Sequence, residues 1–139
     1  MPHSPFETNF FYDIFKFDPE HENRLASRES GRLEFKESFN LGSADDYAKT
    51  MAAFANAAGG YVVYGVKDSP RELIGLRSDN FHNLDPARLT QVLNERMAPE
   101  IHLEQLTHSV RGKRVGVIYV HEAFRKPVVC TRTSSIAMR

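Results

Sequence analysis

The densest hydrophobic signal in the chain runs from Lys49 to Asp68, KTMAAFANAAGGYVVYGVKD. Met51, Phe54, Ala55 and Ala58 recur at helical spacing, so a helix here carries one apolar stripe that must lie on a flat surface. Tyr61 to Val66 is a β-branched and aromatic run, the composition of a buried strand. Gly59 and Gly60 stand between them, where glycine permits the left-handed backbone that ends a helix. The pattern predicts a helix capped by Ser43, with Asp45 and Asp46 in its positive first turn, running to about Ala58 and feeding a central strand.

Upstream, Leu33 and Phe35 alternate with Glu34 and Lys36, giving a short strand with its apolar pair on the core and its charged pair on the opposite face. Downstream, Lys67 to Arg71 reads as a turn and Glu72 to Leu76 as the returning arm of a hairpin. Asp85-Pro86 starts a second helix, whose stripe is Leu89, Val92, Leu93 and Met97 and which ends before Pro99. Ile101 to Val110 and the segment through Val115, Val117 and Tyr119 flank the turn Arg111-Gly112-Lys113-Arg114, and Lys126 to Cys130 adds an edge strand. The order predicts an α+β fold, a mixed β-sheet of about five to six strands with two packed helices. Residues 1–24 differ from the rest: Phe6, Phe10, Phe11, Tyr12, Phe15 and Phe17 crowd into an acidic arm that must dock, either along its own domain or against a second copy.

A length of 139 residues suits one core, so the expected organisation is an aromatic arm over 1–24 and one domain over 25–139. No apolar run reaches the roughly 20 residues that span a bilayer. The single cysteine, Cys130, fits a reducing cytoplasm. Formal net charge is zero, which argues against coating nucleic acid through bulk charge. Its distribution is uneven, however: residues 1–69 hold 7 Lys/Arg against 11 Asp/Glu, and residues 70–139 hold 11 against 7. The basic excess includes Arg111, Lys113, Arg114, Arg125, Lys126 and Arg132, and the turns that carry these residues are candidates for phosphate contact.

Five ordered blocks carry a family resemblance: Glu29-Ser30, Leu33-Glu34-Phe35-Lys36, Ala53 to Gly60, Tyr64-Gly65-Val66-Lys67-Asp68 and Ile74-Gly75. Together they resemble the Schlafen AlbA-type domain over about residues 28–130. The resemblance implies a DNA- or RNA-binding domain, and related domains in animal Schlafen proteins form a nuclease with three metal-binding acids. Carried over residue by residue, those acids fall on Glu29, Glu34 and Asp68, where Mg²⁺ or Mn²⁺ would suit the carboxylate oxygens. Lys36 would stand beside the scissile phosphate. Similar domains continue past the last strand with a tyrosine, an arginine and a glycine-serine pair that this chain lacks, so a truncated C-terminal end with an open sheet edge for oligomerisation is expected.

Three functions follow: nucleic-acid binding through the basic C-terminal turns, a metal-dependent endonuclease on the acidic trio, and a non-catalytic dimerisation domain. An ATPase is not expected, because Gly59-Gly60 follows a helix and no Gly-Lys-Ser/Thr is present. Asn56 is read as a helix cap. The six histidines show no i,i+3 or i,i+4 pairing beside a carboxylate, so no zinc site is expected, and Cys130 reads as a small buried hydrophobe.

Overall fold

The computed structural model describes residues 4–131, and Arg132 and the six residues from Ser134 to Arg139 lie outside the described residues. Tyr61 to Tyr64, as predicted, form the centre of the fold in strand β2 (Gly60–Tyr64), every residue of which is buried. The first short strand, β1 (Leu33–Lys36), runs parallel to it with Glu34 opposite Val62 and Lys36 opposite Tyr64. On the other side of β2 lies β7 (Lys113–Val120), antiparallel, followed by β6 (Leu103–Val110), joined to β7 through the predicted basic turn. The four-stranded sheet therefore has the order β1-β2-β7-β6, with β1 and β6 at its edges.

The remaining strands are short ribbons outside this sheet. β3 (Val66–Lys67) pairs with β4 (Glu72–Leu73) as the expected hairpin. The strand expected near Lys126–Cys130 is β8 (Val129–Cys130), which pairs with β5 (Met97–Ala98) and not with the main sheet. Met97 thus leaves the second helix, α4 (Pro86–Asn94), which is capped as predicted: the Asp85 carboxylate accepts from the Ala87 amide at 3.0 Å. A one-turn helix, α3 (Asn80–Asn83), lays the buried ring of Phe81 against Gly116.

The first long helix, α2 (Ala44–Asn56), ends two residues before Ala58, and its start differs from the expectation. Ser43 makes no side-chain cap; a 3-10 turn over Leu41–Ser43 leads in, and Asn40 accepts from the Gly42 amide. At the far end Gly59 adopts φ +84° and its amide donates to the Phe54 carbonyl. A side chain on Gly60 would stand 2.6 Å from the Phe54 ring, so the glycine pair makes a turn and also lets helix and sheet approach closely. Asn56 does not cap the helix. Its side chain accepts from the Val128 amide at 2.7 Å and donates to the Val128 carbonyl at 2.9 Å, tying the final segment to the helix end.

Both faces of the sheet are covered. Val62, Tyr64, Ile118 and Val120 meet α2 and α4, while Leu33, Phe35, Tyr61, Val63, Val115 and Val117 form a second core with the N-terminal arm. That arm is a 3-10 turn (Pro5–Glu7) and a helix, α1 (Asn9–Ile14), capped by Ser4 and Thr8. Phe11 and Ile14 are each 1% exposed, and the Tyr61 hydroxyl donates to the Pro5 carbonyl at 2.7 Å. The aromatic arm is therefore seated on its own domain as the cover of the second sheet face. Among the described residues no helix is long and apolar enough to cross a membrane.

Candidate functional site

The charged pair of β1 was expected on an open face and lies instead against α2, because the helix covers that side of the sheet. Glu34 and Lys36 are joined at 3.0 Å with side chains about a quarter exposed, Thr50 of α2 donates to Glu34, and Lys36 also reaches Asp46 of α2 at 3.2 Å. Burial works against the Lys36 charge, yet hydrogen bonds to Glu34 and Asp46 hold its ammonium above the usual lysine range. Beside this network the Tyr64 hydroxyl is buried without a hydrogen-bond partner among the described residues, and burial raises it well above the usual tyrosine range.

Glu29 approaches the same end of β1 from the preceding loop. As an edge strand, β1 leaves the Phe35 amide without a strand partner, and the Glu29 carboxylate accepts from it at 2.9 Å. Partial burial raises the Glu29 carboxyl above the usual range; the Phe35 amide opposes this, and the charges of Asp68 and Glu34 push it further up. Asp68 follows β3 directly. Glu29 thus feels the charges of the other two, but among the described residues the three acids do not form a set whose oxygens lie within 4.8 Å of one another. Oxygen donors of this kind suit Mg²⁺ or Mn²⁺, and the Glu34 carboxylate is engaged by Lys36 and Thr50.

The basic residues do not form one patch. Arg111, Lys113 and Arg114 lie at the start of β7, whereas Arg125 and Lys126 follow its end, about 24 Å away at the rise of an extended strand. Most are also engaged. The Arg111 guanidinium lies 3.5 Å from the centre of the Phe17 ring, Lys113 donates to the Leu73 carbonyl, and Arg114 pairs with Asp79. The Arg114 guanidinium holds the Asp79 carboxyl below its usual range. Lys126 pairs with Glu122 at 2.7 Å and reaches the Ala57 carbonyl, and Arg125 is exposed.

One constellation was missed in the sequence. His102, Glu104 and His121 bring one ligand atom each to within 4.8 Å of one another, a grouping that the absence of i,i+3 and i,i+4 histidine pairs did not anticipate. Helical spacings do not reveal it, because the ligands lie at i,i+2 on an extended strand and across a hairpin. The signal available was the Arg111-Gly112 turn, which sets Glu104 opposite Tyr119 and so His102 beside His121. Cys130 packs against the helical core as a half-buried thiol, as expected, and burial raises it.

The Schlafen AlbA_2 family model matches residues 29–139. An uncharacterized ATP-binding protein of Ureaplasma parvum is 40% identical over 124 residues, 80% of this chain and 35% of that protein, so the chain spans about a third of that relative's length. Among solved structures, the DIP2311 protein of Corynebacterium diphtheriae is similar at a TM-score of 0.57 and 25% identity over 80% of this chain and 21% of its own. The N-terminal domain of an ATP-dependent-DNA-helicase RecG-related protein from Nitrosomonas europaea is similar at 0.52 and 27%, over 78% of this chain and 76% of its own. With that family model matching most of the chain, the chain belongs to the Schlafen AlbA_2 family.

Proposed function

We propose that this domain acts on nucleic acid at the acidic end of β1, as a metal-dependent endonuclease whose carboxylates are Glu29, Glu34 and Asp68. The observation that carries the reading is that Glu29, from the loop before β1, bonds the Phe35 amide next to Glu34 and lies near enough to Asp68 and Glu34 for both charges to raise its carboxyl. Neighbouring carboxylates repel one another, and a cation bound between them would relieve that repulsion. Bound there, Mg²⁺ or Mn²⁺ would generate hydroxide and neutralise phosphodiester charge. Glu29 and Asp68 would hold the ion together with Glu34, once Glu34 is released from Lys36. Lys36, freed in the same exchange, would meet a phosphate oxygen.

The family and the helicase-related neighbour give the nucleic-acid context. The ATP binding named for the Ureaplasma relative concerns a protein of which this chain matches about a third, and it carries no part of this reading. The test is incubation of purified protein with structured RNA and single-stranded DNA in Mn²⁺, alongside Glu34→Ala and Glu29→Gln. Cleavage lost in Glu34→Ala supports the proposal; cleavage that survives belongs to a contaminant.

A second reading, binding without cleavage, rests on the exposed Arg125 and the basic β6–β7 turn. Because the two basic groups stand at opposite ends of β7 and most are internally paired, such binding should be weak and strongly salt-dependent. Neutralising Arg111, Lys113 and Arg114 together tests it: affinity unchanged across salt concentrations would remove it.

A further inference from the structure

We propose that His102, Glu104 and His121 form a binding site for one divalent transition-metal ion of the zinc class, separate from the acidic trio. The strand pairing builds it. Glu104 stands opposite Tyr119 in the β6–β7 ladder, and the His121 amide donates to the His102 carbonyl at 3.0 Å, so the three side chains share the arm-facing side of the sheet. Tyr119, whose ring lies 4.8 Å from that of His121, closes the inner side. The acidic trio is on the other edge, three strand spacings or about 14 Å across the sheet, and Glu34 faces α2 on the opposite side.

The donor atoms are already near their places. His121 Nε2 lies 2.7 Å and His102 Nε2 lies 3.9 Å from the same Glu104 oxygen. Donors bonded to tetrahedral zinc at about 2.0–2.1 Å stand roughly 3.3 Å apart, so the observed separations bracket what the ion needs and small side-chain rotations reach it. A hydrogen bond between Glu104 and His121 accounts for one imidazole alone. It leaves unexplained why the second ring lies 4.3 Å from the first with its Nε2 turned to the same oxygen.

Two imidazoles and one carboxylate are a borderline donor set, preferred by Zn²⁺ and its neighbours over Mg²⁺ or Mn²⁺. Three protein ligands would leave a further position open, and His102 and His121 also line a cleft with Pro99, Ile101, Phe124 and Arg125. His102 is 69% exposed at its side chain, while Glu104 and His121 are 37% and 36% exposed, so the ion has a direct path in.

Calorimetric titration of the whole chain with Zn²⁺, and Co²⁺ absorption as a spectroscopic stand-in, should show one site. His121→Asn and Glu104→Gln should each weaken it about tenfold or more, and the Co²⁺ ligand-field bands should disappear. Glu29→Gln with Glu34→Gln should leave it unchanged, which separates this site from the acidic one. Circular dichroism of each variant checks the fold, and both substitutions are at half-exposed positions where folding is expected to persist. Absence of Zn²⁺ binding by the wild-type chain, or binding that survives both His121→Asn and Glu104→Gln, overturns the proposal.

Discussion

Asn56 offers the sharpest test of how the family stretch holds the fold. Its amide makes two hydrogen bonds to one residue, Val128, which is 2% exposed, so neither backbone group can turn to water instead. Leaving a buried donor or acceptor unpaired costs about 1–3 kcal/mol each. Asn56→Ala should therefore lose about 2–4 kcal/mol, and a chain of this size should melt about 10 °C lower. Asn56→Asp separates hydrogen bonding from shape. It keeps the volume and still accepts from the Val128 amide, but its second oxygen meets the Val128 carbonyl without a proton between them. Protonation restores the donor, so the folded state raises the pKa of the new carboxyl above its unfolded value near 3.9. The native state then binds more protons than the unfolded one between those two values, and stability falls as pH rises through that window. Urea unfolding of both variants from pH 4 to pH 8 reads this out. The Asp variant should approach the wild type at the acid end and match the Ala variant at neutrality. Stability within about 0.5 kcal/mol of wild type at pH 7, or no acid recovery, would refute the reasoning.

Phe11→Ala, which empties the site of a ring 1% exposed between α1 and the sheet, should cost about 3–5 kcal/mol in urea unfolding. Glu29→Gln keeps an acceptor for the Phe35 amide and removes a charge that Asp68 and Glu34 oppose; stability at pH 7 should rise by a small, solvent-screened amount, and this gain should fade as pH falls toward the unfolded carboxyl value near 4.3. His108, ringed by Phe11 and Phe15, is lowered by burial, so the unfolded chain takes up its proton first; stability should drop as pH falls below about 6.5, and His108→Phe should flatten that part of the profile measured by thermal melts. Arg114→Ala removes an exposed, solvent-screened pair with Asp79 and should leave the urea unfolding midpoint indistinguishable from wild type.

These predictions divide along the line between what the sequence carried locally and what only the assembled sheet supplies. The helix, glycine turn and strand from Lys49 to Asp68 were legible because their periods are unambiguous and the glycines admit few other roles. The basic hairpin turn was legible for the same reason. What periodicity does not contain is the second cover of the sheet. Glu34 and Lys36 alternate with apolar residues as if one face were open, yet α2 packs over that side and turns the pair into a network with Asp46 and Thr50. The aromatic arm, in turn, supplies the layer that Leu33 and Phe35 need.

The two candidate sites sharpen that contrast. Glu29, Glu34 and Asp68 are expected from a family pattern, and the structure adds their surroundings: Glu29 bonds the Phe35 amide and Glu34 is held by Lys36. His102, Glu104 and His121 carry no linear pattern that helical spacing would find, because sheet neighbours are set by hairpin register. A strand places ligands at i and i+2 and its partner adds the third, so the register of a single turn decides whether they meet. Inserting one residue between Arg111 and Gly112 would move His121 to the other face of β7 relative to Glu104 if the hairpin re-paired throughout. Such a variant should lose Zn²⁺ binding while the acidic edge at β1, which pairs with β2 and not with β6, keeps its arrangement.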